Sequence, residues 1–272
     1  MLKYVFRGLL TAFFAWALLS PFMDQDVAVE EADQTEATQQ GKQRVIKKEK
    51  PLHNVKLPDF AGFTDVKEKK QAFFDFIRPH VEAENKKILQ QRASLEIARM
   101  MLEYNEPLTS KQLSDIKKIL TSYKLPTSID VLSLTQALRR VDIIPKELAL
   151  MQAANESAWG TSRFARIGLN FFGQWCYNKG CGMVPRRRAN EAAHEVTAFK
   201  SVRAAVSSYF KNINTHAAYK DLRTIRADLR RQQKPIEATK LTQGLLSYSE
   251  RREAYIEELN TMINQNRAYF DE

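Results

Sequence analysis

The chain has 272 residues, enough for one catalytic domain of ordinary size and an additional segment. With 44% hydrophobic residues, 15 Phe and 9 Tyr it can bury a core, which excludes a wholly disordered protein. The formal net charge of +10 suits a polyanionic partner, and by itself leaves nucleic acid, anionic lipid and the bacterial cell wall open.

The first 23 residues predict export. Lys3 and Arg7 precede an uncharged apolar stretch, residues 8–23, which is short for a membrane-spanning helix of about 20 apolar residues. No convincing cleavage site follows, so 1–23 is either a cleaved signal peptide or an uncleaved anchor in the inner membrane. We therefore expect a periplasmic or secreted protein, or one anchored to the outer face of the inner membrane. Such a location opposes a nucleic-acid partner, and no recognition motif supports one.

Two segments precede the region with chemical motifs. Residues 24–59 are first acidic and Gln/Thr-rich and then basic, which predicts a flexible charged linker. Over residues 60–125 apolar side chains recur at helical spacing, which predicts a helical accessory segment packed on the catalytic domain. Within it, Pro79 starts or kinks a helix, and Thr109 with Gln112 resembles a capping box.

Residues 126–272 are expected to form the catalytic domain. Asp130 is a plausible N-cap for a helix, and Pro145 suits the first position of the next helix, which runs to about Ser157. This second helix is so apolar that it must be buried nearly all round.

Glu156 lies at the C-terminal end of that apolar helix. Burial and the negative end of the helix dipole both disfavour a carboxylate there, so both raise the pKa of Glu156. A raised pKa is what a general acid working near neutral pH requires. The alternative is an ordinary helix-end glutamate paired with Arg163 or Arg166.

The stretch from Trp159 to Gly182 contains five of the nine glycines, interleaved with aromatic residues. Exposed aromatic faces stack on sugar rings, and side-chain amides suit hydroxyl and acetamido groups, although such aromatics also occur in plain cores. The candidate glycan-binding residues are Trp159, Asn170, Phe172, Gln174 and Trp175.

Cys176 and Cys181 are the two cysteines of the chain. In an exported protein the simplest interpretation is a small disulfide that pins a loop. Free thiols are one alternative, and a metal site with His194 as a further ligand is another. We expect no metal and no cofactor.

Several ordered blocks resemble a known family. The run AANESAWG at residues 153–160 and NFFG at 170–173 are similar to the signature of the family-73 glycoside hydrolases. The form FGQWC at 172–176 resembles the Bax-type branch of that group, as do later blocks, and the resemblance covers roughly residues 126–267.

The resemblance implies a mainly α (α+β), lysozyme-like fold, with a helical lobe and a small β-lobe beside a glycan cleft. It also implies hydrolysis of the β-1,4 bond between N-acetylglucosamine and N-acetylmuramic acid in peptidoglycan. Glu156 matches the catalytic acid of the family, and Tyr219 matches a tyrosine near the cleaved bond. The second carboxylate is less certain: Glu191 fits the expected spacing better than Glu195, and the 2-acetamido group of the substrate is an alternative nucleophile.

Other functions remain open at this point. A lytic transglycosylase shares the fold and the Glu-Ser start, and would leave 1,6-anhydro ends on the glycan. A degenerate hydrolase would bind peptidoglycan without cutting it. In each case we expect a monomer whose partner is the glycan strands of peptidoglycan.

Overall fold

The computed structural model describes residues 49–185, 194–246 and 251–270. The protein is mainly helical with one small three-stranded sheet, which confirms the predicted mainly α, lysozyme-like class. The predicted export segment, 1–23, lies outside the described residues. Among the residues that are described, no helix has the length and apolar composition needed to cross a membrane.

The longest element is α1, Val66–Glu103, with 38 residues. It begins where the Asp65 carboxylate accepts hydrogen bonds from the backbone N–H groups of Lys67 and Glu68, a normal N-cap. Pro79 lies inside this helix and does not start a new one. One stripe of the helix is buried, and its apolar members are Phe73, Phe74, Ile77, Val81, Ile88, Leu95 and Ala98.

Four shorter helices follow. These are α2 (Ser110–Ser122), α3 (Val131–Arg140), α4 (Lys146–Glu156) and α5 (Arg163–Gly168). The predicted capping box of Thr109 with Gln112 is confirmed, and so is Asp130 as an N-cap. Pro145 is the N-cap of α4, so the helix begins at Lys146, one position after the predicted first helical residue.

The sheet lies between two helical parts of the chain. Its strands are β1 (Trp175–Cys176), β2 (Gly182–Met183) and β3 (Glu195–Thr197), in the order β1-β3-β2 and antiparallel throughout. The helices after it are α6 (Val202–Thr215), α7 (Lys220–Arg231), α8 (Ala238–Leu241) and α9 (Arg252–Gln265). Single 3-10 turns occupy Ala217–Tyr219, Thr242–Leu245 and Arg267–Tyr269.

Helix α1 packs against α3, α4 and α6. Its buried side chains belong to the same hydrophobic cluster as those of α4, α6 and α9. Residues 60–125 and 126–270 therefore share one core, and α1 supports the helix that ends at Glu156.

The segment before α1 is attached to α5. The backbone N–H of Leu52 donates to the carbonyl of Ile167 at 2.9 Å, and Arg163 pairs with Glu49 at 2.6 Å. Residues 49–52, which the sequence places in the predicted linker, thus contact the folded unit.

One buried carboxylate joins three parts of the helical core. Asp142 is 1% exposed, and its carboxylate pairs with Arg92 of α1 at 3.2 Å and with Arg230 of α7 at 2.8 Å. The fully buried Arg226 lies 3.9 Å away and donates to the carbonyls of Asp142 and Ile143. Burial alone would raise the pKa of Asp142, but the Arg230 hydrogen bond and the charges of Arg226 and Arg92 outweigh it and lower that pKa.

Candidate active site

Glu156 is the last residue of α4 and is half-buried. The helix is enclosed over residues 148–154, as its apolar sequence predicts. Gln152 is the one polar side chain within that enclosed stretch, and it is 0% exposed. The core therefore fixes the helix that carries Glu156.

The chain turns sharply directly after the candidate acid. Ala158, Trp159 and Gly160 all have left-handed backbone conformations, with φ of 49°, 56° and 78°. Ser157 stabilises the turn, because its Oγ donates to the carbonyl of Ala153 at 2.6 Å and accepts from the N–H of Gly160 at 2.9 Å. Such strained backbone persists only where the surrounding structure holds it. Ser157 and Gly160 thus shape the turn.

Three buried side chains connect to the Glu156 carboxyl by hydrogen bonds. The hydroxyl of Tyr255, on α9, donates to Oε1 of Glu156 at 3.2 Å. Gln152 Nε2 donates to the Tyr255 hydroxyl at 3.0 Å, and the Tyr209 hydroxyl donates to Gln152 Oε1 at 2.5 Å. Sequence reasoning missed these roles. The only signal for them was a single glutamine in an apolar helix.

Tyr219, the predicted third catalytic residue, also lies in the electrostatic environment of Glu156. Burial raises the pKa of the Tyr219 phenol, and the negative charge of Glu156 raises it further. The same two causes raise the pKa of Tyr255. Both phenols therefore remain protonated at neutral pH and can donate hydrogen bonds.

Gly173, the last residue of the NFFG block, lies against the other carboxyl oxygen. A Cβ added to this residue would lie 3.3 Å from Oε2 of Glu156, and its φ of +63° is one that favours glycine. The ring of Phe172 is buried and stacks on Tyr209 with centroids 4.1 Å apart. Phe172 thus supports the tyrosine that begins the hydrogen-bonded chain.

The two candidate amides hold the turn between α5 and the sheet. Asn170 is 1% exposed, donates to the carbonyls of Gln174 and Thr197, and accepts from two backbone N–H groups of its own turn. These four bonds use the full capacity of its amide. Gln174 donates to the carbonyl of Ala205 at 3.0 Å and accepts from Ser208 at 2.7 Å.

The structure places the two candidate tryptophans in different environments. Trp159 packs edge-on against Phe73 and Phe74 of α1, with the Lys70 ammonium over its ring. Trp175 is 56% exposed and its ring lies parallel to that of His194, with centroids 4.1 Å apart. Of the two, Trp175 is the one that presents a large aromatic surface to solvent.

A disulfide joins Cys176, the last residue of β1, to Cys181, the residue directly before β2. Glu195 is 5% exposed, and its carboxylate accepts from the backbone N–H groups of Gly180 and Gly182 at 2.9 and 2.8 Å. Among the described residues, these two cysteines and Glu195 are the one His/Cys/Asp/Glu group close enough to suggest a metal site. The sulfurs are bonded to each other, and the carboxylate anchors the loop. Glu191 lies outside the described residues.

Comparison with known proteins identifies the family. The model of the family described as Glucosaminidase, mannosyl-glycoprotein endo-beta-N-acetylglucosaminidase, matches residues 132–268. The curated relative Protein bax of Escherichia coli (strain K12) is 32% identical over 212 residues, which cover 77% of this chain and 74% of the relative. No solved structure matches the chain. The matched region contains Glu156, the turn that follows it, the sheet, and Tyr209, Tyr219 and Tyr255. The chain therefore belongs to the glucosaminidase family and is a Bax-type member of it.

Proposed function

We propose that this protein hydrolyses the β-1,4 bond between N-acetylglucosamine and N-acetylmuramic acid in peptidoglycan. Membership of the glucosaminidase family supports a glycosidase that acts on peptidoglycan-type glycans. The observation that supports the more specific proposal, cleavage of this β-1,4 bond, is the environment of Glu156. One of its carboxyl oxygens accepts from Tyr255, and the other faces a glycine.

In this proposal Glu156 is the general acid that protonates the oxygen of the leaving sugar. The buried helix α4 fixes the position of the carboxyl in advance, so the reaction requires no further ordering of the acid. Tyr219 orients the substrate acetamido group or a water molecule. Glu191, or the acetamido oxygen of the substrate, supplies the second group that such hydrolysis needs.

Trp175 is the residue proposed to bind the glycan by stacking. Its exposed ring offers an apolar face to a sugar, and its parallel contact with His194 limits how the ring can rotate. The net charge of +10 favours attraction to anionic wall polymers. The proposal includes export to the periplasm or beyond, with or without an anchor in the inner membrane, and action as a monomer.

Digestion of purified peptidoglycan by the full-length protein tests the proposal. Wild type is compared with Glu156→Gln and with Glu147→Gln, which changes a glutamate at the other end of the same helix. We expect wild type and Glu147→Gln to release fragments with reducing N-acetylglucosamine ends, identified by mass spectrometry, and Glu156→Gln to release none.

Two outcomes would contradict the proposal. Products with 1,6-anhydro ends would identify a lytic transglycosylase. Binding of glycan by both wild type and Glu156→Gln, without any cleavage, would identify a binding module.

A further inference from the structure

Three hydrogen bonds in sequence lead from Tyr209 to Glu156, and in each of them the donor is the residue on the Tyr209 side. The Tyr209–Gln152 contact is 2.5 Å, within the range of an O–H···O bond, and the Gln152–Tyr255 contact is 3.0 Å, typical of N–H···O. These lengths agree with an amide whose oxygen faces Tyr209 and whose nitrogen faces Tyr255. The reverse orientation would put the nitrogen at the shorter distance.

This direction determines where the Tyr255 proton points. The Tyr209 hydroxyl donates its one proton to Gln152, so the amide oxygen is occupied and the amide nitrogen donates to Tyr255. The Tyr255 oxygen is then an acceptor toward Gln152, and its own proton is directed at Oε1 of Glu156. Burial of Tyr209 and Gln152 holds the sequence of bonds in place, because breaking one would leave a buried polar group unsatisfied.

We infer that Tyr255 is a positioning residue, which holds the Glu156 carboxyl by a hydrogen bond to Oε1 and stabilises its ionised form. Gly173 lies against the other carboxyl oxygen, Oε2, where an added Cβ would come within 3.3 Å. As the proton leaves, charge grows on the carboxyl and the Tyr255 bond strengthens, which stabilises the transition state more than the ground state. This inference rests on the proposed function and adds the residue that positions the acid.

Tyr255→Phe in the full-length protein tests the inference, because it removes the hydroxyl and keeps the ring. We expect kcat on peptidoglycan to fall about tenfold with little change in KM, as for the loss of one hydrogen bond to a charged group. The alkaline limb of the pH–activity profile should move up by about one pH unit, because the carboxylate loses a donor that stabilises it. Tyr209→Phe frees the Gln152 amide to turn, so it should shift the same limb by a smaller amount.

Tyr123→Phe is the matched control. Tyr123 is also buried, and its hydroxyl donates to Oε1 of Gln91 and not to Glu156. It should lower the unfolding temperature to a similar extent and leave kcat and the pH profile at their wild-type values. A Tyr255→Phe protein that behaves like this control would overturn the inference.

Infrared spectroscopy separates the inference from the proposed function. The carboxyl band of Glu156 is assigned as the band missing from Glu156→Gln, and its protonation is followed against pH without substrate. We expect the midpoint to be higher in Tyr255→Phe than in wild type; an unchanged midpoint contradicts the hydrogen-bond assignment. If wild type cleaves no peptidoglycan but the midpoint moves, the proposed function fails and the hydrogen bond stands.

Discussion

A Cβ added to Gly173 would lie 3.3 Å from Oε2 of Glu156, closer than nearly all ordinary contacts of a Cβ. The NFFG block and the helix that ends at Glu156 are separate along the chain, yet they meet at this point. Gly173 therefore sets the space around the candidate acid as well as the path of the backbone.

Gly173→Ala should strongly reduce activity. The added methyl group would crowd Oε2, and the positive φ would cost about 1–2 kcal/mol of stability. Gly180→Ala is a suitable control, because Gly180 has a φ of +83° and open space where its Cβ would lie. Peptidoglycan digestion and urea unfolding of both variants separate the two effects. Equal losses of activity in the two variants would mean that strain alone is responsible.

Asp142→Asn should destabilise the fold by about 3–5 kcal/mol at pH 7, because the buried Arg226 would lose its nearby carboxylate. Asp115→Asn, which changes an exposed carboxylate paired with two lysines, should stay close to wild type in urea unfolding. If Asp142→Asn and Asp115→Asn had similar free energies of unfolding, the buried network would contribute nothing to stability.

The same buried carboxylate predicts a pH dependence. The pKa of Asp142 is lowered on folding, so its ionised form contributes stability above the ordinary value of 3.8. That contribution is lost as the pH falls through the folded-state pKa. Urea unfolding between pH 7 and pH 2 should show wild type and Asp142→Asn converging at the acid end; a constant difference would argue against ionisation as its cause.

Loss of the disulfide should destabilise the protein by about 2 kcal/mol, a small effect because the loop between Cys176 and Cys181 is short. The double variant Cys176→Ser, Cys181→Ser should unfold at lower urea than the oxidised wild type. Wild type treated with dithiothreitol provides the control and should match the variant. No difference between oxidised and reduced wild type would remove the disulfide as a stabilising element.

Trp175→Ala should weaken binding to insoluble peptidoglycan about tenfold and leave the unfolding temperature nearly unchanged, because its ring is 56% exposed. Tyr104→Ala removes a more exposed aromatic ring, at the end of α1, and serves as the control. Sedimentation with cell-wall sacculi measures both. Undiminished binding by Trp175→Ala would exclude this ring as a glycan contact.

Much of the helical fold could be predicted because its signals are local. The capping residues Thr109 and Asp130 lie directly before the helices that they start, and the apolar run of α4 has no exposed face. Of the two alternatives predicted for Pro79, the start of a new helix is wrong, because α1 continues through this residue and tertiary packing outweighs the local preference of proline.

The candidate site was only partly predictable. Trp159 and Trp175 are equally plausible sugar platforms in the sequence, but one packs on α1 and the other is exposed. Asn170 has the right chemistry to bind a glycan, yet its amide is used entirely to hold a turn. Which polar and aromatic groups are already engaged depends on residues far along the chain.

The sequence by itself determined the helical class, the burial of α4 and the position of Glu156 at its end, because helix periodicity and capping act over a few neighbouring residues. Only the tertiary structure decided that Tyr255, 99 positions away, donates directly to that carboxyl. It also decided that Tyr255 is the last member of a chain of hydrogen bonds that begins at Tyr209. The reason is physical: a hydrogen bond requires about 3 Å between atoms, and long-range packing alone brings such distant residues that close.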